Sequence, residues 1–108
     1  MMPEVGRQAA PLFAALGDET RLALLVRLAS GGPGSITRLS ANAQVSRQTI
    51  TKHLLILSDA GLVHGLRQGR ERIWTLEPTR LLEAQAYLQT ISQQWDDALG
   101  RLKHFVET

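Results

Sequence analysis

At 108 residues the chain has room for one compact domain, and its formal net charge of +2 carries no bulk signal that would by itself mark a nucleic-acid binder. It has no cysteine, which excludes disulfides, thiolate metal sites and thiol redox switching. No apolar run approaches the roughly 20 residues of a membrane span, and residues 1–17 lack the apolar core of a signal peptide, so a soluble, cytoplasmic protein with no membrane partner is expected.

Val5, Ala9, Leu12 and Leu16 recur at spacings of three and four with Phe13 beside them, and predict an amphipathic helix over about residues 5–16 that Gly17 closes. Pro11 inside it implies either a kink or a later true start. Asp18 has the chemistry of an N-cap for a second helix, with an apolar stripe of Leu22, Leu25, Val26 and Ala29 that ends at Ser30-Gly31-Gly32-Pro33-Gly34. Those glycines lack the following lysine and hydroxyl of a phosphate loop, so the stretch reads as a turn. Asp18, Glu19 and Arg21 suit a helix start: the acids favour the helix dipole, and Arg21 can pair within a turn.

Ser35 can cap a short helix through about Asn42, with Ile36 and Leu39 inward. Ala43-Gln44-Val45 then forms a three-residue turn, and Ser46 caps a helix whose Ile50, Leu54 and Leu57 share one side before it breaks at Gly61. Two helices joined by so short a turn have helix-turn-helix spacing, with Val45 packing into the angle between them and Ala43 letting the backbones approach. Helical hairpins of this kind also occur in proteins that never touch DNA.

The next stretch discriminates. Residues 62–66 and 73–76 are strand-like, and the intervening Arg67-Gln68-Gly69-Arg70 places a glycine where a tight hairpin needs positive φ. A hairpin directly after a recognition-type helix is a wing, and this one carries Arg67, Arg70 and Arg72. A structural hairpin needs no such cluster, whereas contact with DNA phosphates does, because arginine offers several fixed donors to one anion. Positive charge is concentrated here: Arg47, Lys52 and the three wing arginines face only Asp59 and Glu71 across residues 44–72. Trp74, on the returning strand, is expected on the wing's inner side.

Pro78 starts a long final helix to about residue 105, with Leu81, Ala84, Leu88, Ile91, Trp95, Ala98, Leu102 and Phe105 alternating at three and four. Such a helix is roughly 40 Å long, more than so small a domain covers, and its far end is expected to pack on another molecule, with Trp95 in that contact. The fold class that follows is mainly α. It is a winged helix-turn-helix in the order α-α-α-α-β-β-α with a long C-terminal dimerisation helix, in a single domain spanning residues 1–108.

Together these pieces resemble the ArsR-type winged-helix transcriptional repressors, and within them the metal-independent, cysteine-free branch. The resemblance is carried by "LFAALGDETRLALLVRLA" (12–29), "ITRLSANAQVSRQTITKHLLILSDAGLV" (36–63), "RQGRERIWTLEP" (67–78) and the tryptophan-bearing last helix. It implies a bacterial homodimer, built from the first helix (about 5–16) and the last (about 78–105), that represses by binding a palindromic operator in its own promoter. The interface would use Leu12, Leu88, Ile91, Trp95, Leu102 and Phe105. The recognition role falls to Ser46, Arg47, Gln48, Thr49, Thr51, Lys52 and His53, and the wing role to Arg67, Arg70 and Arg72.

Helix-turn-helix geometry divides the work. Arg47 and Gln48 at the helix N-terminus can reach base edges in the major groove, whereas Ser46, Thr49 and Lys52 suit phosphates. His53 can contact a phosphate or pack beside inward Leu54. The family's metal sensors use a cysteine pair on the recognition helix, absent here, or a site across the terminal helices. For the latter His104 and Glu107 supply half, but Ile91 and Gln93 stand where the other half should be, so neither metal nor cofactor is expected. An enzyme has little support: Asp96 and Asp97 diverge on a helix, and the histidines fall in separate elements. The competing functions are a ligand-responsive sensor with a pocket in the dimer cleft, and a dimerisation or adaptor module that does not bind DNA.

Overall fold

In the computed structural model the chain runs α1 (Met2–Leu16), α2 (Glu19–Gly31), β1 (Gly34–Ser35), α3 (Ile36–Leu39), α4 (Arg47–Asp59), β2 (Val63–Gln68), β3 (Glu71–Leu76) and α5 (Pro78–Glu107). The backbone of residues 2–107 and the side chains of residues 9–107 are described, so the expected inward side chain of Val5 lies outside the described residues. This is the mainly α winged helix-turn-helix, with one element more than the sequence pattern predicted, the two-residue strand β1.

Caps start three helices where the sequence placed them. Asp18 Oδ2 accepts from the Arg21 N–H at 3.0 Å, Ser35 Oγ from Arg38 at 3.3 Å and Ser46 Oγ from Thr49 at 3.1 Å. α1 begins before Pro11 and continues past it, so the later start does not occur. α3 stops short of Asn42, because the chain turns at Ser40 and Asn42 takes a left-handed φ of 61°, which asparagine tolerates and a helix does not.

The core is built from Leu12 and Ala15 of α1, Leu24, Leu25 and Leu28 of α2, Leu39 of α3, and Ile50, Leu54 and Leu57 of α4, closed by Leu62, Val63, Trp74 and Ala84. The inner face of α4 is the expected one. α2 is rotated from the expected stripe: Leu24, Leu25 and Leu28 are buried, whereas Leu22, Val26 and Ala29 are exposed. "LALLVRLA" is apolar nearly all round, so periodicity admits overlapping stripes. The structure selects the one that shares a face with Arg21, whose guanidinium is anchored on α1. Val45, expected in the angle between the helices, is 40% exposed, and with Leu39 and Ile50 it lines an open cleft of about 410 Å³ beside α2. Leu12, expected at a dimer interface, is 1% exposed and enclosed by its own chain, which leaves no surface for a partner.

The sheet is antiparallel in the order β1-β3-β2, with Gly34 opposite Trp74 and Val63 opposite Leu76 through to Gln68 opposite Glu71. The strands run further into the arginine segment than expected and leave only Gly69-Arg70 as the loop. Gly69 has φ 61°, the positive value that the first central position of a type II′ hairpin requires. Gly65 faces Trp74, and a Cβ there would come within 2.7 Å of Arg72 Cδ and 3.2 Å of Trp74 Cε3. Its missing side chain is the space into which those two side chains lie.

The first turns of α5 pack on α1, where the rings of Phe13 and Tyr87 are 5.7 Å apart, and Ala84 is buried. Beyond them the helix leaves the core. At 30 residues it is about 45 Å long and accounts for the elongated 67 × 29 × 20 Å shape. Leu88, Trp95, Leu102 and Phe105 are exposed along it, Trp95 to 64% and Phe105 to 78%, and Ile91 is half-buried.

Candidate nucleic-acid interface

The periodicity of α4 gives it four sides. Ile50, Leu54 and Leu57 anchor it inward, so Gln48, Lys52 and Leu55 point the opposite way, and all three are exposed. One flank, with Arg47 and Thr51, faces α3 and the wing. The other, with Thr49 and His53, brings His53 against α2.

Several expected site residues are engaged within the chain. Ser46 Oγ and Thr49 Oγ1 are 3.0 Å apart in the helix cap, and Thr51 Oγ1 donates to the Arg47 carbonyl at 3.0 Å. Arg47 Nη2 donates to Thr37 Oγ1 on α3 at 2.9 Å. His53 is only 17% exposed, with its Nδ1 3.2 Å from Arg21 Nη1 and 3.8 Å from Asp18 Oδ2. Arg21 also donates to the Ala15 carbonyl at 2.6 Å and the Ala14 carbonyl at 3.3 Å. The expected pairing of Arg21 within its own turn is therefore made by its backbone N–H, while its side chain joins α1 to α4. The Asp18 carboxyl is held below its ordinary pKa, first by that backbone N–H and, against the cost of desolvation, by the neighbouring His53 and Arg21 charges.

The wing arginines are exposed, and Arg67 stands directly opposite Arg72 in the strand register. Like charges opposed across a ladder destabilise it, so this pairing does not stabilise the hairpin. Among the described residues none of Lys52, Arg67, Arg70 and Arg72 forms an ion pair with a carboxylate of the chain. Arg72 is steadied instead by the buried Trp74, its Cζ 5.5 Å from the ring centroid. Between α3, α4 and the wing lies a cleft of about 240 Å³, lined by Thr37, Arg47, Thr51, Arg70 and Arg72 among others.

Two residues of this surface escaped the sequence reading. Leu55 lies seven residues after Gln48 and three after Lys52, so periodicity alone could have found it. Thr37 meets Arg47 from another helix, and no local pattern signals that. At the other end of the molecule, Glu107 Oε1 lies 4.0 Å from Lys103 Nζ. Among the described residues no three His, Asp or Glu side chains gather where they could hold a metal ion, and no helix is long and apolar enough to cross a membrane.

A capped helix with an outward polar face, set beside an arginine-tipped hairpin, defines a winged helix-turn-helix domain of the kind typical of DNA-binding transcriptional regulators. Residues 16–65 match the helix-turn-helix domain family. Over 95 residues the chain is 38% identical to the HTH-type transcriptional regulator Rv2034 of Mycobacterium tuberculosis (strain ATCC 25618 / H37Rv), covering 87% of this chain and 84% of that one. Among solved structures it is similar to an ArsR-like transcriptional regulator from Rhodococcus sp. RHA1, with TM-score 0.76, 35% identity and 92% of each chain covered. It is also similar to the crystal structure of an ArsR family transcriptional regulator with TM-score 0.74 and 31% identity, covering 83% of this chain and 92% of that one. The chain belongs to the ArsR-type helix-turn-helix transcriptional regulators.

Proposed function

We propose that the protein is a homodimeric repressor that occupies a palindromic operator, each subunit laying α4 in a major groove with its wing along the adjacent backbone. The observation that carries this is the outward strip of Gln48, Lys52 and Leu55 on a helix anchored by Ile50, Leu54 and Leu57, beside wing arginines that no carboxylate of the chain neutralises among the described residues. Glutamine can pair with adenine, an apolar side chain can meet a thymine methyl, and lysine supplies phosphate or guanine contact. His53, turned to Arg21, acts as a support for the helix rather than as a contact. The dimer is assigned to the exposed seam of α5 with Leu88, Trp95, Leu102 and Phe105, and two such subunits would present their α4 helices to half-sites about one DNA turn apart.

The test is to retain fragments of the protein's own genomic DNA on the purified protein, sequence them, and footprint the recovered site. A symmetric footprint over two half-sites is expected, with far weaker retention of scrambled duplex. Failure to retain any duplex at low salt would leave the α5 seam as the main functional surface and favour an adaptor.

A further inference from the structure

The opening residue of the recognition helix does not point where a base reader should. Arg47 lies on the flank of α4, not with Gln48 and Lys52 on its outward side, and its guanidinium crosses to α3, where Nη2 donates to Thr37 Oγ1 at 2.9 Å. There it lines the cleft that Arg70 and Arg72 enter from the wing.

We infer that this cleft is a phosphate clamp, in which Arg47 of the recognition helix and Arg70 and Arg72 of the wing hold consecutive DNA backbone phosphates, one guanidinium to each, leaving base reading to the outward strip of Gln48, Lys52 and Leu55. The inference rests on the proposed DNA-binding function and assigns one residue of it to a different task. Three arginines, one from the recognition helix and two from the wing, line a volume of about 240 Å³, with Glu71 the single carboxylate among the lining residues. That balance suits an anion. Two of the three are already held without one, Arg47 by Thr37 and Arg72 against Trp74, with Gly65 leaving room for the latter. Preorganised donors lose less conformational freedom when the ligand arrives. Thr51 is turned to its own helix by its bond to the Arg47 carbonyl, so it shapes the wall rather than donating into the cleft.

A phosphate contact and a base contact differ in what they do to specificity and to salt. A clamp residue lost by substitution weakens every duplex alike and releases one counterion fewer, whereas a lost base contact weakens only the cognate site. The experiment titrates the wild type, Arg47→Ala, Arg47→Lys and Gln48→Ala against the recovered operator and a scrambled duplex, at several salt concentrations from roughly 50 to 200 mM. Arg47→Ala should lose affinity for both duplexes by factors that agree within about twofold, with a salt slope lower by about one unit. Arg47→Lys should keep the slope and the operator-to-scrambled ratio, since a lysine serves a phosphate as a point charge but cannot reproduce a bidentate guanine contact. Gln48→Ala should show the reverse pattern, a reduced ratio and an unchanged slope. Loss of the ratio in Arg47→Lys, or an Arg47→Ala variant that is folded and loses only operator binding, would return Arg47 to base reading and overturn the clamp. A wild type that binds neither duplex would overturn the DNA-binding function itself, an outcome distinct from either variant pattern.

Discussion

Arg21 and His53 meet at 3.2 Å between Arg21 Nη1 and His53 Nδ1, and the same guanidinium holds the carbonyls of Ala14 and Ala15 at the end of α1. One side chain from α2 thereby fastens the recognition helix to the first helix. It also satisfies the Ala15 carbonyl, which the end of α1 leaves without an intrahelical partner, and shares the Ala14 carbonyl with the Gly17 N–H. Arg21→Ala removes all these bonds and leaves the partly buried Ala15 carbonyl without its donor, so unfolding free energy should fall by roughly 1 to 3 kcal/mol. His53→Ala removes one of them and should cost less. Urea denaturation of both variants checks the order, and equal stability of Arg21→Ala and wild type would show that solvent replaces the whole bracket.

The same corner sets an acid limit. Because the Asp18 carboxyl is held below its ordinary pKa by the Arg21 N–H, and further by the His53 and Arg21 charges, folding favours its ionised form. That contribution is complete above the unfolded carboxyl pKa of about 4 and is lost as pH falls through the lower folded value. Asp18→Asn keeps an oxygen for the cap but cannot titrate, so its stability curve should be flatter than the wild type's below about pH 4. Thermal melts across that range measure it, and parallel curves would show that Asp18 contributes no linkage.

How far the sequence could be read depended on how local the determinant was. The caps at Asp18, Ser35 and Ser46 and the inward Ile50, Leu54 and Leu57 were legible because each is settled within one or two turns. The face of α2 was not. Its apolar residues run nearly all round, and the choice among overlapping stripes is made by the Arg21 contacts with α1 and α4. β1 was missed because two residues carry no period and pair only with distant Trp74 and Ile73. The candidate interface followed the same rule. Its residues were nameable from the cap and the wing glycine, but the division into an outward face, a wing flank and a supporting flank needed Thr37 and Arg21, which approach α4 from other helices.

For the wing, the opposed Arg67 and Arg72 predict a substitution that helps the fold and harms binding. Arg67→Thr removes a like-charge pair across the ladder and introduces a residue suited to strands, so the melting temperature should hold or rise slightly. Affinity for operator and random duplex should fall together, with a salt slope lower by about one unit. A fall in thermal stability with unchanged DNA affinity would assign Arg67 to the hairpin alone.

On the outward face, Gln48 has no partner among the described residues to lose. Gln48→Ala should therefore change stability by less than about 0.5 kcal/mol, the usual range for exposed positions. Discrimination between operator and scrambled duplex should shrink by on the order of 1 to 3 kcal/mol if the side chain contacts a base edge. Titration of both duplexes at one salt concentration, with melting curves as the folding control, separates the two effects. Unchanged discrimination in a folded variant would mean that Lys52 and Leu55 carry the face without it.

The last prediction concerns the part of the molecule that its own core leaves uncovered. Leu102 is 59% exposed, and with Trp95, Leu99 and Phe105 it forms an apolar run on the half of α5 that projects beyond the domain. A contiguous apolar surface of this kind marks a contact, and seven-residue steps such as Leu81, Leu88, Trp95 and Leu102 suit pairing with a second helix of the same pattern. Leu102→Asp places a carboxylate where such a partner would strip it of water, at a cost that the weak contacts of one position cannot offset. In the isolated subunit the same change is nearly neutral, because the site is open to solvent. Sedimentation at micromolar concentration should therefore find the wild type dimeric and Leu102→Asp shifted towards monomer, with the circular dichroism of the folded chain retained. Operator affinity should drop with the dimer, since a monomer engages only one half-site. A wild type that sediments as a monomer throughout that range would remove α5 as the dimer interface, and with it the symmetric footprint.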